Sequence, residues 1–313
     1  MSHTPFHKPV LLNEVIKALN CNPSGIYVDG TIGGGGHSRE ILKSCAPFGK
    51  LIGIDCDGQA LALAKKNLEV FKDRLYLIKS DFVNIEQILK ELNINELDGI
   101  LLDLGASSYQ IEDGNRGFSF IKNGPLDMRM DRSYSLTASQ IVNEFPPERL
   151  KSILKFYGEE RWANKITSGI IRAREKREIL TTTQLAEIVT NAIPKKSHPK
   201  KIHPATRTFQ AFRIAVNREL EKIEEFIRES VTYLKKKGRI VIITFHSLED
   251  RIVKFTYKSL SNGCNCPPYF PECICKKEKQ VTILTSKPII PSTYEIRDNP
   301  RARSAKLRVC EKI

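Results

Sequence analysis

The feature that most constrains this chain is a glycine-rich turn between a short apolar run and a segment with helical spacing. The run Ile26–Asp29 is typical of a buried strand and ends in a carboxylate, and four glycines follow at 33–36. Glycine adopts positive φ readily and leaves no Cβ in the way of a ligand. The N–H groups of a following helix can face an electron-rich ligand. The stretch therefore predicts a strand, a tight turn and a helix start, serving either a ligand or the fold alone.

The first hundred residues repeat this strand-and-helix alternation. We predict strands at 26–29, 51–55, 75–78 and 98–103, helices between them at 37–44, 60–70 and 85–92, and a leading helix at 9–19. Strands that alternate with helices pair in parallel and form an open α/β sheet.

Polar or aromatic residues stand where these strands end. They are Asp29, Asp55, Phe82 and Asp103. Ligands of such sheets bind at the carboxyl ends of the strands, so we expect these residues to converge. Asp55 follows the turn by some 20 residues, where a carboxylate can accept hydrogen bonds from both ribose hydroxyls of a nucleoside cofactor or remain a solvated acid. Phe82 can pack on an adenine ring or belong to the core.

After Asp103 the alternation stops. Helices are predicted at 138–143, 148–156, 161–176 and 182–192, then one long helix at 206–236 closed by Gly238, strand 239–245, helix 247–260, and strands 281–284 and 306–309. We interpret this as a sheet domain of residues 1–112 and 214–313, interrupted by an inserted helical domain of residues 113–213.

The 313 residues carry 50 Lys and Arg against 36 Asp and Glu, a net charge of +14. Such an excess favours a polyanionic partner, although it can also serve solubility alone. Residues 194–213 contain six cations and no acid, and the tail adds Arg301, Arg303 and Lys306. No apolar run suits a membrane span and no signal peptide is evident, which predicts a cytoplasmic protein without a membrane partner.

Residues 116–120 (RGFSF) combine a cation, a glycine and two aromatics, which can stack on an unpaired base or pack in the core. Cys264, Cys266, Cys273 and Cys275 form two C-x-C pairs that are either a structural zinc clip or plain thiols. The spacing departs from the usual C-x-x-C, and no metal is assigned to the active site. The other cysteines, Cys21, Cys45, Cys56 and Cys310, are expected to be small core residues.

Several longer segments of the chain carry a family resemblance. They are 7–14 (HKPVLLNE), 29–38 (DGTIGGGGHS), 98–108 (DGILLDLGASS), 116–120, 124–130 (GPLDMRM), 157–161 (YGEER), 203–211 (HPATRTFQA), 245–251 (FHSLEDR) and 299–308 (NPRARSAKLR). The turn differs from the dinucleotide fingerprint G-x-G-x-x-G and is similar to the first motif of S-adenosyl-L-methionine (AdoMet) methyltransferases. Nearly end to end, the chain resembles the bacterial 16S rRNA cytosine-N4 methyltransferase family, known as RsmH or MraW.

The resemblance implies a class I AdoMet-dependent methyltransferase fold, Rossmann-like with a mostly parallel sheet, and an inserted all-helical domain that recognises the substrate. It implies methylation of one cytosine in the decoding region of 16S rRNA within the small ribosomal subunit, and it leaves the oligomeric state unknown. The residues that it assigns to the cofactor are Gly35, Gly36, His37, Asp55, Phe82, Asp103 and Gln110. The chain departs from the family at Gly34, where Arg is usual, and at Tyr109, where Pro is usual.

Methyl transfer to cytosine N4 needs positioning above all, because the AdoMet methyl is already electrophilic and the N4 lone pair is delocalised into the ring. Asp103 is our candidate to accept a proton from N4, or it holds only the amino group of the cofactor. Aromatic residues such as Tyr109, Phe118 or Phe120 can help the base leave its stack.

Two other functions remain open from the sequence. A DNA amino-methyltransferase shares the fold and cofactor, but usually carries Asp/Asn-Pro-Pro-Tyr/Phe where this chain has Asp103-Leu104-Gly105-Ala106. A non-catalytic nucleic-acid-binding module is the second alternative. The retained acids and glycines argue against it.

Overall fold

The computed structural model describes residues 9–200, 202–263 and 278–313. The four cysteines of the zinc hypothesis, and His7 and Lys8, lie outside these residues. Its strands are β1 (Ile26–Asp29), β2 (Lys50–Asp55), β3 (Leu75–Lys79), β4 (Leu97–Asp103), β5 (Leu234–Thr244), β6 (Val281–Ile283) and β7 (Lys306–Lys312). Its helices are α1 (Leu12–Leu19), α2 (Gly36–Ser44), α3 (Gly58–Asn67), α4 (Ile85–Glu91), α5 (Ser108–Glu112), α6 (Ala138–Glu144), α7 (Pro147–Phe156), α8 (Ala163–Arg174), α9 (Thr182–Ala192), α10 (Thr206–Asn217), α11 (Glu219–Thr232), α12 (Ser247–Ser261) and α13 (Thr293–Asp298).

The seven strands form one sheet in the order β3-β2-β1-β4-β5-β7-β6. The first five pair in parallel, whereas β7 runs antiparallel to both β5 and β6. This confirms the predicted fold class, an α/β protein with a mostly parallel sheet. In β4, the consecutive residues Ile100, Leu101 and Leu102 are all fully buried. Both faces of a parallel sheet are covered, which explains why its strands have continuous apolar sequences.

The chain divides into two compact units. The sheet unit comprises residues 1–105 and 220–313, and the helical unit comprises residues 106–219. The core of the helical unit is made by apolar side chains of α6 to α10, among them Ile141, Leu154, Ile166 and Phe212. The boundaries that we predicted, at 112/113 and 213/214, lie within seven residues of these. One consequence concerns Gln110, which we assigned to the sheet domain and which belongs to the helical unit.

The single long helix predicted at 206–236 is wrong. Arg218 adopts a left-handed conformation (φ +53°), which separates α10 from α11. The last residues of the predicted helix are the first part of β5, where Leu234 pairs with Leu97. Gly238 therefore lies inside a strand and closes no helix. A Cβ there would come within 2.9 Å of the Lys235 carbonyl oxygen, so the backbone passes close to itself at this point. Pairing with β4 outweighs the helical spacing of the side chains.

The remaining elements follow the prediction within a few residues, apart from two short helices, α5 and α13, that the spacing did not indicate. Cys45 and Cys310 are buried as expected, but Cys21 and Cys56 are only partly buried. Within the described part of the chain, none of the helices combines the length and apolar character needed to cross a membrane.

Candidate active site

Three carboxylates stand at the ends of neighbouring strands in the sheet unit. Asp29, Asp55 and Asp103 are the last residues of β1, β2 and β4, which lie side by side in the sheet. Register places Asp29 opposite Gly53 of β2 and Leu101 of β4, two residues short of the ends of those strands. The predicted convergence of these acids at one edge of the sheet is therefore observed.

The glycine-rich turn is held by Asp55. The carboxylate oxygen Oδ2 accepts a hydrogen bond from the N–H of Gly33 at 2.9 Å, and Oδ1 accepts one from Asp57 at 2.9 Å. Burial raises the pKa of Asp55 to about 6, against the opposing effect of these two N–H donors. Asp55 thus shapes the turn through one lone pair on each oxygen, which leaves further lone pairs for a ligand.

The end of the turn is built from glycines that cannot be replaced freely. Gly35 has φ +82°, and a Cβ there would lie 2.8 Å from Leu68 Cδ1. At Gly36, the first residue of α2, a Cβ would lie 2.6 Å from Pro9 Cγ. Gly34 differs, because a Cβ there would lie 3.4 Å from Leu63 Cδ2 and 3.9 Å from Asn67 Nδ2, which are ordinary contact distances. Position 34 can therefore hold a side chain, such as the Arg that is usual in the family. The backbone of the turn does not need that side chain to keep its conformation.

Asp29 ties β1 to α2. Its side chain is buried, Oδ2 accepts the hydroxyl of Ser38 at 2.6 Å, and Oδ1 accepts the N–H of Thr31 at 3.2 Å. Burial raises the pKa of this carboxyl to about 6, despite both donors. Asp29 is therefore a structural residue of the turn, and its negative charge faces the neighbouring acids.

Asp103 has the most perturbed carboxylate of the site. Its Oδ2 lies 3.6 Å from Nδ1 of His37, whose Nε2 lies 2.9 Å from the carbonyl oxygen of Val10. Its Oδ1 is buried and has no hydrogen-bond partner among the described residues. Burial, followed by the charges of Asp29 and Glu249, raises the pKa of Asp103 to about 8. A buried acceptor without a donor, surrounded by other carboxylates, suits a cationic or N–H-bearing ligand.

The other two residues assigned to the cofactor are Phe82 and Gln110, and the side chain of each makes contacts within its own unit. Phe82 packs edge-to-face on Phe226 of the core at 5.2 Å between ring centroids, and is only partly buried. The Gln110 side-chain oxygen accepts the N–H of Ser107 at 3.0 Å and so caps the N-terminus of α5. Six of the seven assigned residues belong to the sheet unit, and Gln110 alone belongs to the helical unit.

The RGFSF segment is largely structural. Arg116 is buried and donates to the carbonyl oxygens of Arg129 and Met130 at 3.1 and 2.8 Å. Phe120 packs on His203 and Phe209. Tyr109 is 45% exposed, so of the aromatic residues considered for base positioning it presents the most accessible ring.

Two groups at the site were missed from the sequence. The hydroxyl oxygen of Thr31 accepts the backbone N–H of Asp103 at 2.7 Å and links the turn to β4. Glu249 is buried, accepts the N–H groups of Phe245 and His246 at 2.7 and 3.2 Å, and caps α12. Glu249 is the third residue of α12 and forms a capping box with His246, which stands where Ser or Thr is usual, and the effect of Glu249 on Asp103 depends on tertiary proximity.

Replacing Gly35 with alanine is expected to destabilise the protein by about 1–3 kcal/mol, because it places a Cβ at positive φ and against Leu68. Urea denaturation of the variant measures this loss. Gly34→Ala is the matched control and is expected to change stability by less than about 1 kcal/mol. Equal stability of the two variants would contradict the strain assigned to Gly35.

Comparison with known proteins adds the family. Residues 4–313 match the model of the MraW methylase family. Proteins named ribosomal RNA small subunit methyltransferase H are 52% identical in Clostridium botulinum (strain Kyoto / Type A2), over 98% of this chain and 99% of the relative. Those of Trichlorobacter lovleyi and Halothermothrix orenii are each 50% identical, over 98% of this chain and 98% of the relative. With its strand-end acids, its glycine turn and this full-length match, the chain belongs to the MraW methylase family.

Proposed function

We propose that this protein is an AdoMet-dependent RNA methyltransferase that methylates N4 of one cytosine in the 16S rRNA of the small ribosomal subunit. The observation that carries the proposal is the buried, unpaired Oδ1 of Asp103 at the same sheet edge as Asp55 and the glycine turn. The names of the relatives support rRNA of the small subunit as substrate. The cytosine N4 in the decoding region follows from the sequence resemblance.

The residues present fit the cofactor. AdoMet supplies an electrophilic methyl on a cationic sulfonium. Asp55 would accept hydrogen bonds from the ribose hydroxyls, and the backbone N–H groups of Gly35, Gly36 and His37 at the start of α2 would face the cofactor. The family resemblance adds Phe82, Asp103 and Gln110 to the residues that would hold the cofactor, with Phe82 against the adenine. A cationic ligand also offsets the repulsion among Asp29, Asp55 and Asp103, whose pKa values are all raised.

Asp103 is assigned to the chemistry. When bound, AdoMet would supply the methyl group and keep the electrons of the methyl–sulfur bond, and N4 would give up one proton as its bond to the methyl group forms. An ionised Asp103 accepts that proton, and its carboxylate also orients the N4 lone pair toward the methyl group. The high pKa of the free enzyme's Asp103 makes it a stronger base than an ordinary aspartate.

Labelled AdoMet, offered with purified small subunits, free 16S rRNA and duplex DNA in parallel, tests the proposal. We expect label in the rRNA of the subunit and N4-methylcytosine after digestion to nucleosides. Label in DNA alone would show instead that the protein is a DNA amino-methyltransferase. Tight AdoMet binding without any transfer would favour a non-catalytic binding module. Activity on assembled or assembling subunits also implies a cytoplasmic location, where ribosomes of bacteria are made.

A further inference from the structure

The helical unit carries more than its share of positive charge. Its 114 residues contain 20 Lys and Arg against 12 Asp and Glu, a net charge of +8 out of +14 for the whole chain. Part of this charge is already paired: Arg213 binds Glu219 through two nitrogens at 2.9 and 2.8 Å. Other cations of this unit have exposed side chains, and several of them lie along α8.

Helix α8 presents a basic face. Arg161, just before the helix, is followed at spacings of four and seven residues by Lys165 and Arg172, and all three are exposed. Such spacings place the three side chains on one face. Ile166 and Ile170 on the other face are fully buried in the core of the unit. The sequence of α8 contains no acidic residue, and its remaining exposed residues, Asn164 and Ser168, are neutral.

The turn that joins α7 to α8 is closely packed and contains the YGEER segment, which has no role in the candidate active site. At Gly158 a Cβ would lie 2.7 Å from the Leu154 carbonyl oxygen. The buried Glu160 accepts the N–H of Trp162 through Oε1 at 2.9 Å. Arg207 donates to the carbonyl oxygen of Glu159 at 3.2 Å, which adds a cation beside the turn. Glu159 is exposed and, two residues before Arg161, is the exposed acid nearest in sequence to the basic face.

Aromatic rings lie among these cations. Phe156, the last residue of α7, is 64% exposed, and the Lys155 ammonium lies 5.8 Å from the centre of its ring. The ring of Trp162 has the Arg161 guanidinium at 5.9 Å and the Lys165 ammonium at 5.0 Å. Accessible aromatic rings beside cations are the arrangement with which proteins bind single-stranded nucleic acids, since the ring stacks on a base and the cations attract the backbone.

We propose that this surface, made of Lys155, Phe156, Arg161, Trp162, Lys165 and Arg172 and called here the α7–α8 surface, binds an unpaired stretch of the substrate RNA. The identity of the ligand as RNA rests on the proposed function. The cations neutralise backbone phosphates, which carry no sequence information, and Phe156 offers a face on which a base stacks. The surface anchors RNA outside the methyl-transfer site, so that it contributes to affinity for the substrate and leaves the chemical step unaltered.

A charge-matched pair of variants tests the electrostatic part. The triple variant Arg161→Gln, Lys165→Gln and Arg172→Gln removes three cations from the α7–α8 surface. The control, Lys65→Gln, Lys66→Gln and Lys72→Gln, removes three exposed cations from the sheet unit. Fluorescence anisotropy measures the binding of a fluorescein-labelled single-stranded RNA. The salt concentration is varied from about 0.05 to about 0.3 M, which brackets physiological ionic strength.

We expect the triple variant to bind the RNA about tenfold or more weakly, with the slope of log K against log salt reduced by about 2, at roughly 0.7 per lost phosphate contact on single strands. The control should change affinity less than about threefold. Calorimetric titration with AdoMet should give the same affinity for both variants and the parent. Equal weakening of RNA binding in triple variant and control would overturn the proposal, because general charge would then explain it.

Trp162 provides a second readout, since it is the only tryptophan in the chain. RNA that binds at the α7–α8 surface should alter its emission as phosphates draw Arg161 and Lys165 from the ring. Phe156→Leu should weaken RNA binding at least threefold and leave the thermal midpoint within a few degrees. Unchanged Trp162 emission at saturating RNA would refute the proposal.

Enzyme kinetics separate this inference from the proposed function. With small subunits as substrate, the triple variant should raise KM about tenfold and keep kcat within twofold. RNA binding at the surface by an enzyme that methylates no rRNA would defeat the proposed function and leave the surface standing. Normal KM for subunits in the triple variant would defeat the surface alone.

Discussion

Replacing Asp103 with asparagine is expected to abolish methyl transfer and, at the same time, to make the protein more stable. The asparagine amide keeps the size of the side chain but cannot accept a proton from N4. We expect turnover to fall by a factor of at least about 10³, the range typical for loss of a general base. The stability gain has a separate cause. In the folded protein, burial and the charges of Asp29 and Glu249 make the ionised Asp103 carboxylate unfavourable, and asparagine removes that charge.

The sign of the stability change follows from the direction of the pKa shift. The pKa of Asp103 is about 8 in the folded protein against 3.8 for an ordinary aspartate, so the folded state holds its proton more tightly. The resulting penalty on folding is absent below about pH 4, grows as pH rises toward 8, and is then constant. With 26% of the side chain exposed, we expect the asparagine variant to gain about 1–3 kcal/mol at pH 8 and little at pH 4.

Urea denaturation at pH 4 and pH 8 and single-turnover methyl transfer measure the two effects. The affinity for AdoMet then separates the two roles of Asp103. If the variant keeps its affinity for AdoMet but loses turnover, Asp103 acts as the proton acceptor. If it loses both, Asp103 holds the amino group of the cofactor. Asp73→Asn, an exposed acid of the same unit, is the control. Methylation at near parental rate in Asp103→Asn would disprove both roles.

Replacing Asp55 with alanine is expected to raise KM for AdoMet by at least about 100-fold and to change kcat much less. Two hydrogen bonds from ribose hydroxyls to a charged acceptor are lost, each contributing about 1.5 kcal/mol. The turn also loses its anchor, since Oδ2 of Asp55 holds the N–H of Gly33 at 2.9 Å. Both losses weaken the binding of the cofactor before any chemistry occurs.

Titration with AdoMet and with S-adenosylhomocysteine checks this expectation, because both ligands carry the same ribose. They should be weakened by similar factors. Asp55→Asn should be intermediate, since the amide oxygen still accepts one of the hydrogen bonds. Asp73→Ala should bind both ligands as the parent protein does. An unchanged affinity in Asp55→Ala would remove Asp55 from the ribose role.

Most of the sheet was predictable from the sequence for a physical reason. Strands buried on both faces must be apolar throughout, and helices that cover them must have an apolar stripe, so both periods are visible in the residues. The same reasoning placed Asp29, Asp55 and Asp103 at one edge, because parallel strands share their carboxyl ends. The prediction failed at 206–236, where local helical spacing extended across a break at Arg218 and into the start of β5.

By itself, the sequence determined the α/β class, the helical insertion, the glycine turn and the family. These depend on local pattern and on the order of motifs along the chain. The tertiary structure alone decided that Asp55 anchors Gly33, that Oδ1 of Asp103 lacks a donor, and that Glu249 and Asp29 together raise its pKa. Such properties arise from desolvation and from groups that are distant in sequence but adjacent in space: Gly33 and Asp55 are 22 positions apart, and Asp29 and Glu249 are 74 and 146 positions from Asp103.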